Sequence, residues 1–472
     1  MEALIKKVLA VRYIFLMLSI LLLAGCTSKR VESEVEVKVE DKITLTKSLN
    51  KPVEKSKKRD IEIFDLLNIP QDVSYFAKNI DENSTIYDIQ KKYEQNYFSV
   101  WNIDKPKEDL KSAMWPFASF SFNKSYGENL QLLEKSFFDE MIKNANFEAY
   151  ASVNKKALTL KYSNMRAFPT IRPLLRDPTA AGEGFPFDYL QNSSIHANEP
   201  LFISHYTKDK EWAFVFSSYA SGWLKSDELV VLTEEEVAKW QKAKQVAIVK
   251  ENESLYDSEG HFLFKSKIGM MFALISEDEE TYTVLAVSSY KNSKPLFLKS
   301  KISKNIATKE ILKLGRENLI SIVKEVSKTN YGWGGMYEQR DCSSMLRDMF
   351  VPFGIWLPRN SYQQSKIGSV VSLKNLYDDE KIRVIKERGV PFETLLYKKG
   401  HVVLYVGTYN DEIVVFHNTW GIKTKKDEAE GRIIIGKPIF SSLRLGKYQQ
   451  NYDEDAELLK NLVSMNILTR QP

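Results

Sequence analysis

The sequence is poor in cysteine, in long apolar runs and in histidine. Its 472 residues include two cysteines, Cys26 and Cys342, so a framework of disulfide bonds is excluded. The apolar run from Tyr13 to Leu23 is too short to span a membrane comfortably. Histidine occurs five times. Each cysteine and histidine that does occur is therefore a candidate for chemistry.

The net charge of +5 comes from one end of the sequence. Residues 1–60 hold 13 Lys or Arg and 8 Asp or Glu, and the remaining residues hold 54 of each sign. A protein that binds nucleic acid needs clustered positive charge on its folded surface. The charge distribution therefore argues against nucleic-acid binding.

The first 25 residues have the pattern of an export signal. Basic residues precede the apolar run, which ends in Leu-Ala-Gly immediately before Cys26. This resembles a bacterial lipobox, in which the cysteine receives a lipid and becomes the mature amino terminus; an ordinary signal peptide is the alternative. We expect lipidation of Cys26 and a protein anchored to a membrane of the cell envelope, facing the periplasm or the cell wall. Cys342 then remains a free thiol.

Composition and periodicity divide the rest of the chain. A charge-mixed stretch without aromatic residues predicts a tether, and helical spacing follows it, most clearly over residues 129–147. Two groups of short strands separated by turn residues predict small antiparallel barrels. We expect a multidomain α+β protein with these segments: signal peptide 1–25, tether 26–60, helical segment 61–150, first barrel 151–235, second barrel 240–303 and last domain 304–472, with helices opening the last domain near Thr308.

Cys342 is predicted to lie in the first turn of a helix. Apolar residues at helical spacing follow it, and Asp341 is suited to cap the helix. The helix dipole and the free N–H groups at that end favour a thiolate. Glycines of the preceding loop would let it approach a substrate, with Tyr331 and Trp333 as walls. A buried, inert cysteine on a core helix is the alternative.

Two histidines favour the reactive cysteine over the inert one. His401 opens one predicted strand and His417 closes the next, and a hairpin centred on Tyr409 would place them opposite each other. One imidazole can then take the proton of the thiol while the other orients it. Metal binding is the competing use of paired histidines, but no further ligand recurs at a suitable spacing. We therefore expect neither a metal nor another cofactor.

These motifs resemble those of the NlpC-like cell-wall cysteine peptidases, whose papain-like domain packs helices on an antiparallel sheet. The matching stretches are Asp-Cys-Ser at 341–343, Leu-Pro-Arg-Asn-Ser-Tyr-Gln-Gln at 357–364, Gly-His-Val-Val-Leu-Tyr-Val-Gly at 400–407 and His-Asn-Thr-Trp-Gly at 417–421. Relatives with two SH3-like domains behind a helical segment extend the resemblance to about Ile61.

The resemblance implies an enzyme with Cys342 as nucleophile, His401 as general base and His417 as its orienting partner. It implies cleavage of peptidoglycan stem peptides at the bond between γ-D-glutamate and a diamino acid. The alternatives are an N-acetylmuramoyl-L-alanine amidase with the same nucleophile and a wall-binding lipoprotein without activity. We expect a monomer whose partners are stem peptides and, through its lipid, a membrane.

Substrate selection is expected to differ from that of these relatives. Asn360 stands where many of them carry an aspartate that binds the free amine of L-Ala, and an amide binds an ammonium group more weakly than a carboxylate does. We therefore expect the protein to discriminate only weakly between a free stem peptide and one attached to muramic acid. The other residues expected to contact substrate are Tyr331, Trp333, Asp341 and Ser361 and, in the first barrel, Glu183, Asp188 and Tyr189.

Overall fold

The computed structural model describes residues 63–80, 89–427 and 429–470. The predicted signal peptide, Cys26 and the tether lie outside these residues. In the described part of the chain, no helix combines the length and the apolar character needed to cross a membrane.

The amino-terminal segment consists of short helices. They are α1 (Phe64–Asn68), α2 (Val73–Phe76), α3 (Ile89–Tyr97), α4 (Leu110–Ala113), α5 (Trp115–Ser119) and α6 (Lys135–Asn144). The helix predicted over residues 129–147 is shorter than expected, because Leu130 has a left-handed φ of 62° and α6 begins only at Lys135. Leu133 fits the helical spacing but lies in the preceding loop, where it is buried in the same cluster as Phe137 and Phe168.

This amino-terminal segment contributes buried residues to two different hydrophobic cores. Val73 and Phe76 are buried in the cluster that fills the last domain. Trp101 and Phe147 are buried in another cluster, together with strand residues of the first barrel such as Phe214. The predicted segment 61–150 therefore packs partly on the last domain and partly on the first barrel.

The first barrel is an antiparallel sheet followed by a helix. Its strands are β1 (Lys155–Thr159), β2 (Ser163–Arg166), β3 (Gln191–Ile195), β4 (Pro200–Tyr206), β5 (Trp212–Phe216), β6 (Ser221–Lys225) and β7 (Leu229–Val231), in the spatial order β3-β2-β6-β5-β4-β1-β7. A long loop, 167–190, joins β2 to β3. Helix α7 (Glu234–Lys242) follows and begins with a capping box between Thr233 and Glu236.

The second barrel has a five-stranded sheet and a separate hairpin. Its strands are β8 (Gln245–Ile248), β9 (Ser254–Tyr256), β10 (Phe262–Lys265), β11 (Met271–Glu277), β12 (Thr281–Lys291), β13 (Lys294–Ser303) and β14 (Ala307–Thr308). The sheet order is β13-β12-β11-β8-β14, and β9 pairs with β10. Because Thr308 pairs with Ala247, this barrel continues past the predicted boundary at residue 303. Thr308 therefore does not open the helical part of the last domain.

The last domain packs helices on an antiparallel sheet. Its helices are α8 (Arg316–Val326), α9 (Cys342–Phe350), α10 (Ser361–Gln364), α11 (Asp378–Arg388) and α12 (Leu458–Asn461). Its strands are β15 (Ser369–Ser372), β16 (Thr394–Lys398), β17 (His401–Tyr409), β18 (Glu412–Lys426), β19 (Ala429–Ser442) and β20 (Leu462–Ile467), in the order β15-β20-β16-β17-β18-β19. Met345 and Met349 of α9 are buried with Val402 and Leu404 of β17. The predicted fold class is confirmed.

The turn of the β17–β18 hairpin has two residues rather than the three that the sequence suggested. Asn410 and Asp411 have left-handed φ values of 48° and 66°, and Tyr409 pairs directly with Glu412. Two consecutive left-handed residues form the turn whose twist matches that of paired strands. The prediction of a hairpin centred on Tyr409 was therefore wrong.

A β-bulge also shifts the register of this hairpin. It lies between Tyr405 and Gly407, and beyond it Leu404 faces Phe416. Continued along the strands, this register sets residue 417 opposite residue 403, so the direct pairing of residues 401 and 417 was wrong as well. Residues 401 and 403 share a face because side chains alternate along a strand. The two histidines are consequently diagonal neighbours across the strands.

Candidate active site

Cys342 is the first residue of α9, as predicted, and Asp341 caps this helix. Asp341 Oδ1 accepts a hydrogen bond from Ser344 N–H at 2.8 Å, and Ser344 Oγ accepts one from Asp341 N–H at 2.9 Å. Arg359 donates to both carboxylate oxygens of Asp341, at 3.2 and 2.6 Å. Asp341 therefore fixes the helix start that carries the thiol, and it also lines the adjoining cavity.

Arg359 is a site residue to which the sequence analysis gave no role. It is buried, and it donates to Ser343 Oγ at 3.0 Å and to Ser193 Oγ of the first barrel at 2.8 Å. Together with its ion pair to Asp341, these bonds join the helix start to the barrel. Its place in the Leu-Pro-Arg-Asn motif was the available signal.

The two histidines form a hydrogen-bonded chain with a serine. His401 Nε2 lies 2.9 Å from His417 Nδ1, and His417 Nε2 lies 2.9 Å from Ser441 Oγ of β19. The thiol of Cys342 adjoins this chain, because the backbone N–H of Val402, the residue after His401, is close enough to the sulfur to lower its pKa. The structure thus brings together the three residues named as nucleophile, base and orienting partner, and it adds Ser441.

Burial determines the charge state of this group. It raises the pKa of Cys342 to about 12, with a smaller contribution from Asp341, while the N–H groups of Val402 and Ser343 oppose the shift. Burial, assisted by Lys398, lowers the pKa of His401 to about 3. At pH 7 the thiol of Cys342 and the imidazole of His401 are therefore both neutral. The helix end favours the thiolate, as expected from the sequence, but desolvation outweighs its effect.

His417 is likewise held neutral. Burial lowers its pKa well below the usual value, and the neighbouring His401 and Lys398 add to the shift. Two neutral imidazoles can share only one proton in the hydrogen bond between them.

A cavity of about 850 Å³ adjoins Cys342. Its walls come from three parts of the chain: Glu108 and Trp115 of the amino-terminal segment, Tyr189 of the first barrel, and Cys342 and Asn360 of the last domain. We call this cavity the thiol arm. The part contributed by the amino-terminal segment was not foreseen, since nothing local in residues 108–125 indicates a binding surface.

A second cavity, of about 290 Å³, adjoins the histidines. His401 and His417 line it together with Lys398 and Arg432. We call it the histidine arm. Both arms share the walls Tyr189, Tyr331, Trp333 and Gly400. They therefore meet beside the thiol and the imidazole, and Tyr331 and Trp333 are cleft walls as expected.

The glycines after Tyr331 allow a close contact that the sequence analysis did not predict. Gly334 and Gly335 both have left-handed φ values, 59° and 87°. A Cβ at Gly334 would lie 2.5 Å from the backbone oxygen of Gln191, and one at Gly335 would collide with Ser194. The loop can therefore pack directly on β3 of the first barrel, and Gly334 also lines the thiol arm.

The two residues named from the Leu-Pro-Arg-Asn motif line the thiol arm. Asn360 is exposed there, and its Oδ1 accepts a hydrogen bond from Gln363 N–H at 2.9 Å as the cap of α10. Ser361, the first residue of α10, lies beside it. The carbonyl oxygen of Asn360 is thus engaged by the helix, which leaves the amide nitrogen, a donor, as the group that can face a ligand.

The three residues named from the first barrel separate into different roles. Tyr189 lines both arms, and its hydroxyl donates to Glu183 at 2.8 Å. Asp188 is buried, pairs with Arg166 at 2.6 Å and accepts a hydrogen bond from Leu174 N–H. A substrate contact by the Asp188 side chain is therefore contradicted, although its backbone oxygen accepts a hydrogen bond from the indole of Trp333. Glu183 lines neither arm, and it contacts the cleft wall only through the hydroxyl of Tyr189.

Four family models match the sequence. They are an NLPC_P60 amino-terminal stabilising domain at residues 15–150, an SH3 domain of SH3b1 type at 173–225, an SH3 domain of SH3b2 type at 234–279 and the NlpC/P60 family at 328–431. The chain carries an NlpC/P60 domain. The resemblance inferred from its motifs is confirmed, and Cys342, His401 and His417 all lie within the residues matched to the NlpC/P60 family.

One solved structure extends the likeness in fold beyond the NlpC/P60 domain. An NlpC/P60 endopeptidase from Photobacterium damselae subsp. piscicida shares 22% identity and covers 86% of this chain and 98% of its own, with a TM-score of 0.74. An NlpC/P60 family protein from Bacillus cereus shares 17% identity over 66% of this chain and 99% of its own, with a TM-score of 0.42. No curated protein matches the sequence significantly. The first of these likenesses shows that the whole multidomain fold is shared.

Among the described residues, no group of three or more His, Cys, Asp or Glu side chains is placed to hold a metal ion.

Proposed function

We propose that this protein is a hydrolase that cleaves an amide bond of peptidoglycan stem peptides through the thiol of Cys342. The observation that carries the proposal is the buried thiol beside the hydrogen-bonded His401 and His417, at the junction of the two arms. The NlpC/P60 family match supports a peptidase, as does the structural likeness to the NlpC/P60 endopeptidase from Photobacterium.

The neutral resting state defines the first step of the reaction. His401 takes the proton of Cys342 as the sulfur attacks the amide carbonyl, so that no ion pair is needed beforehand. The oxygen of the resulting tetrahedral intermediate can accept a hydrogen bond from the N–H of Cys342, since N–H groups in a first helical turn lack partners within the helix.

The second half of the reaction returns the enzyme to its starting state. His401 gives its proton to the departing nitrogen, the C–N bond breaks and a thioester with Cys342 remains. A water molecule then gives a proton to His401 and attacks the thioester, and the released sulfur recovers that proton. One amide and one water become one carboxylic acid and one amine.

The two arms give the substrate a direction. The nitrogen that leaves must come within reach of His401, so the histidine arm receives the amine fragment and the thiol arm receives the acyl fragment. The histidine arm is lined by charges of both signs, with Lys398 and Arg432 as basic residues and Asp453 and Glu457 as acidic ones. A diamino acid with a free carboxylate suits this arm, which favours the bond between γ-D-glutamate and the diamino acid.

The test uses two defined substrates and mass spectrometry. Incubation with the tetrapeptide L-Ala-γ-D-Glu-diaminopimelate-D-Ala is expected to release L-Ala-D-Glu, and the muramyl form should release muramyl-L-Ala-D-Glu. Cys342→Ala should yield neither product while retaining the unfolding midpoint of the wild type. Release of intact tetrapeptide from the muramyl form would identify an amidase instead. A folded wild type that cleaves neither substrate would refute the proposal.

We also propose that Cys26 anchors the protein to a membrane of the cell envelope. The support is its position after a short apolar run that ends in small residues. Cys26→Ser should release the protein from the membrane fraction or leave it unprocessed. A variant that stays with the membrane at the normal mature mass would show that Cys26 is not the anchor.

A further inference from the structure

The hydroxyl of Ser441 determines which nitrogen of His417 carries a proton. Ser441 Oγ donates its only proton to the backbone oxygen of Ser442, at 3.0 Å. It can therefore only accept from His417 Nε2, which lies 2.9 Å away. His417 must then carry its proton on Nε2, and its Nδ1 holds a lone pair.

The protonation of His417 also determines which nitrogen of His401 carries a proton. The lone pair on His417 Nδ1 can accept a hydrogen bond only if His401 Nε2, at 2.9 Å, is the donor. Because burial keeps His401 neutral, its Nδ1 then carries no proton. Nδ1 is thus the nitrogen that can take the proton of the thiol.

The opposite tautomer of His417 would prevent His401 from accepting the proton of the thiol. If His417 carried its proton on Nδ1, it would donate to His401 Nε2, and the single proton of His401 would move to Nδ1. That nitrogen could then accept nothing from Cys342. Only a group that accepts from His417 Nε2 separates the competent arrangement from the incompetent one.

Ser441 is itself held by the amino-terminal segment. Its two neighbours on the edge strand β19 are both bound by side chains from that segment. Asp65 Oδ2 accepts from the N–H and the hydroxyl of Ser442 at 2.9 and 2.8 Å. Gln71 donates to the oxygen of Phe440 at 2.8 Å and accepts from its N–H at 3.1 Å.

We propose that Ser441 is a positioning residue that sets the tautomers of His417 and His401, and that Asp65 and Gln71 hold it in place. Ser441 lies outside the residues 328–431 that match the NlpC/P60 family. The inference rests on the proposed function only in assigning a base role to His401. The tautomers themselves can be measured without a substrate.

The experiment combines ring ¹⁵N spectra with steady-state kinetics on the full chain. Long-range ¹H–¹⁵N correlations of histidine-labelled protein distinguish the two tautomers, and His401→Gln and His417→Gln assign the signals. Wild type should show both residues with the proton on Nε2. Ser441→Ala should show a mixture at His417 and a fall in kcat on the tetrapeptide of about tenfold, the value of one hydrogen bond, with KM unchanged.

Two further variants separate positioning from general damage. Ser441→Thr keeps the hydroxyl and should restore the wild-type tautomer and most of kcat. Ser464→Ala removes another buried serine from the same sheet, on β20, and should change neither. Ser441→Ala with the wild-type ring spectrum and wild-type kcat would overturn the proposal. Failure of the wild type to cleave any stem peptide would refute the proposed function instead, and the spectra would still decide the tautomers.

Discussion

The two SH3 domains make different contacts with the NlpC/P60 domain. The first contributes Tyr189 to both arms of the cleft and Ser193 as an acceptor for Arg359. Among the residues that line either arm, none comes from β8 to β14 of the second. Position relative to α9, rather than fold, therefore determines which barrel can influence the substrate.

The second SH3 domain instead supports the residues behind α9 with buried charges. Arg340, just before this helix, donates to Glu251 at 2.8 Å and to the backbone oxygen of Ile268 at 2.8 Å. It also pairs with Asp348 of α9 at 2.7 Å. A Cβ at Gly269 would lie 2.7 Å from His196 of the first barrel. Both barrels and the helix thus meet in one buried charged network.

Removal of Glu251 should produce the largest effect and should act on stability. Glu251→Ala leaves the buried Arg340 with one fewer countercharge, and breaking such a pair costs about 3 kcal/mol. Denaturant unfolding should show this loss, while KM stays at the wild-type value. Glu253→Ala, at an exposed position of the same loop, is the control. A raised KM in Glu251→Ala would show that the second barrel also influences the substrate.

A pH titration of stability tests the same network through His196. Burial lowers the pKa of His196, against the opposing charge of Asp348 at 3.1 Å. Below pH 6.5 the unfolded chain binds a proton that the folded chain does not, so the free energy of unfolding falls as the pH falls. The contribution is up to about 1.4 kcal/mol per pH unit.

His196→Gln removes this contribution, and its unfolding free energy should decrease less steeply below pH 6.5 than that of the wild type. The remaining slope includes His205, His401 and His417, whose pKa values are also lowered by burial. It also includes an opposite contribution from Glu199, because burial raises the pKa of that carboxyl to about 8. Parallel curves for wild type and variant would show that His196 is charged in the folded protein.

Truncation of Tyr189 tests the first barrel as a wall of the cleft. Tyr189→Ala should raise KM about tenfold through lost contact with the substrate, with little change in the unfolding midpoint. Tyr189→Phe keeps the ring and should lie near the wild type. Kinetics on the tetrapeptide provide the measurement. An unchanged KM would remove the functional distinction between the two barrels.

The smallest effect is expected from a tyrosine of the second barrel. Tyr256 is 48% exposed and contacts neither arm. Tyr256→Ala should change the free energy of unfolding by no more than about 0.5 kcal/mol and should leave KM unaltered. A rise in KM here would show that the second barrel reaches substrate by a surface other than the cleft.

The sequence predicted those parts of the site that depend on near neighbours. The cap at Asp341 and the position of Cys342 follow from residues within one helical turn, and both were found. The hairpin was predicted, but its register depends on Asn410 and Asp411 both being left-handed and on the bulge after Tyr405, which no periodicity signals.

The remaining parts depend on contacts between distant residues. The pKa of Cys342 is set by burial, which no local pattern reports. Ser441 is separated from His417 by 24 residues, and Asp65 is separated from Ser442 by 377. Glycines 334 and 335 were noticed, but their neighbours on β3 could not be inferred from spacing. Side chains that converge from separate domains therefore escaped the sequence analysis.

The contacts of Asp65 and Gln71 with β19 change what counts as the smallest autonomous catalytic unit. A fragment of residues 304–472 would contain Cys342, His401, His417 and Ser441 yet would lack both side chains that bind the edge strand. Residues 63–80 pack on the last domain, although both barrels lie between them in the sequence. In topological terms, both barrels are inserted between residues 63–80 and the last domain, which pack together. A fragment cut at the domain boundaries would separate these two parts.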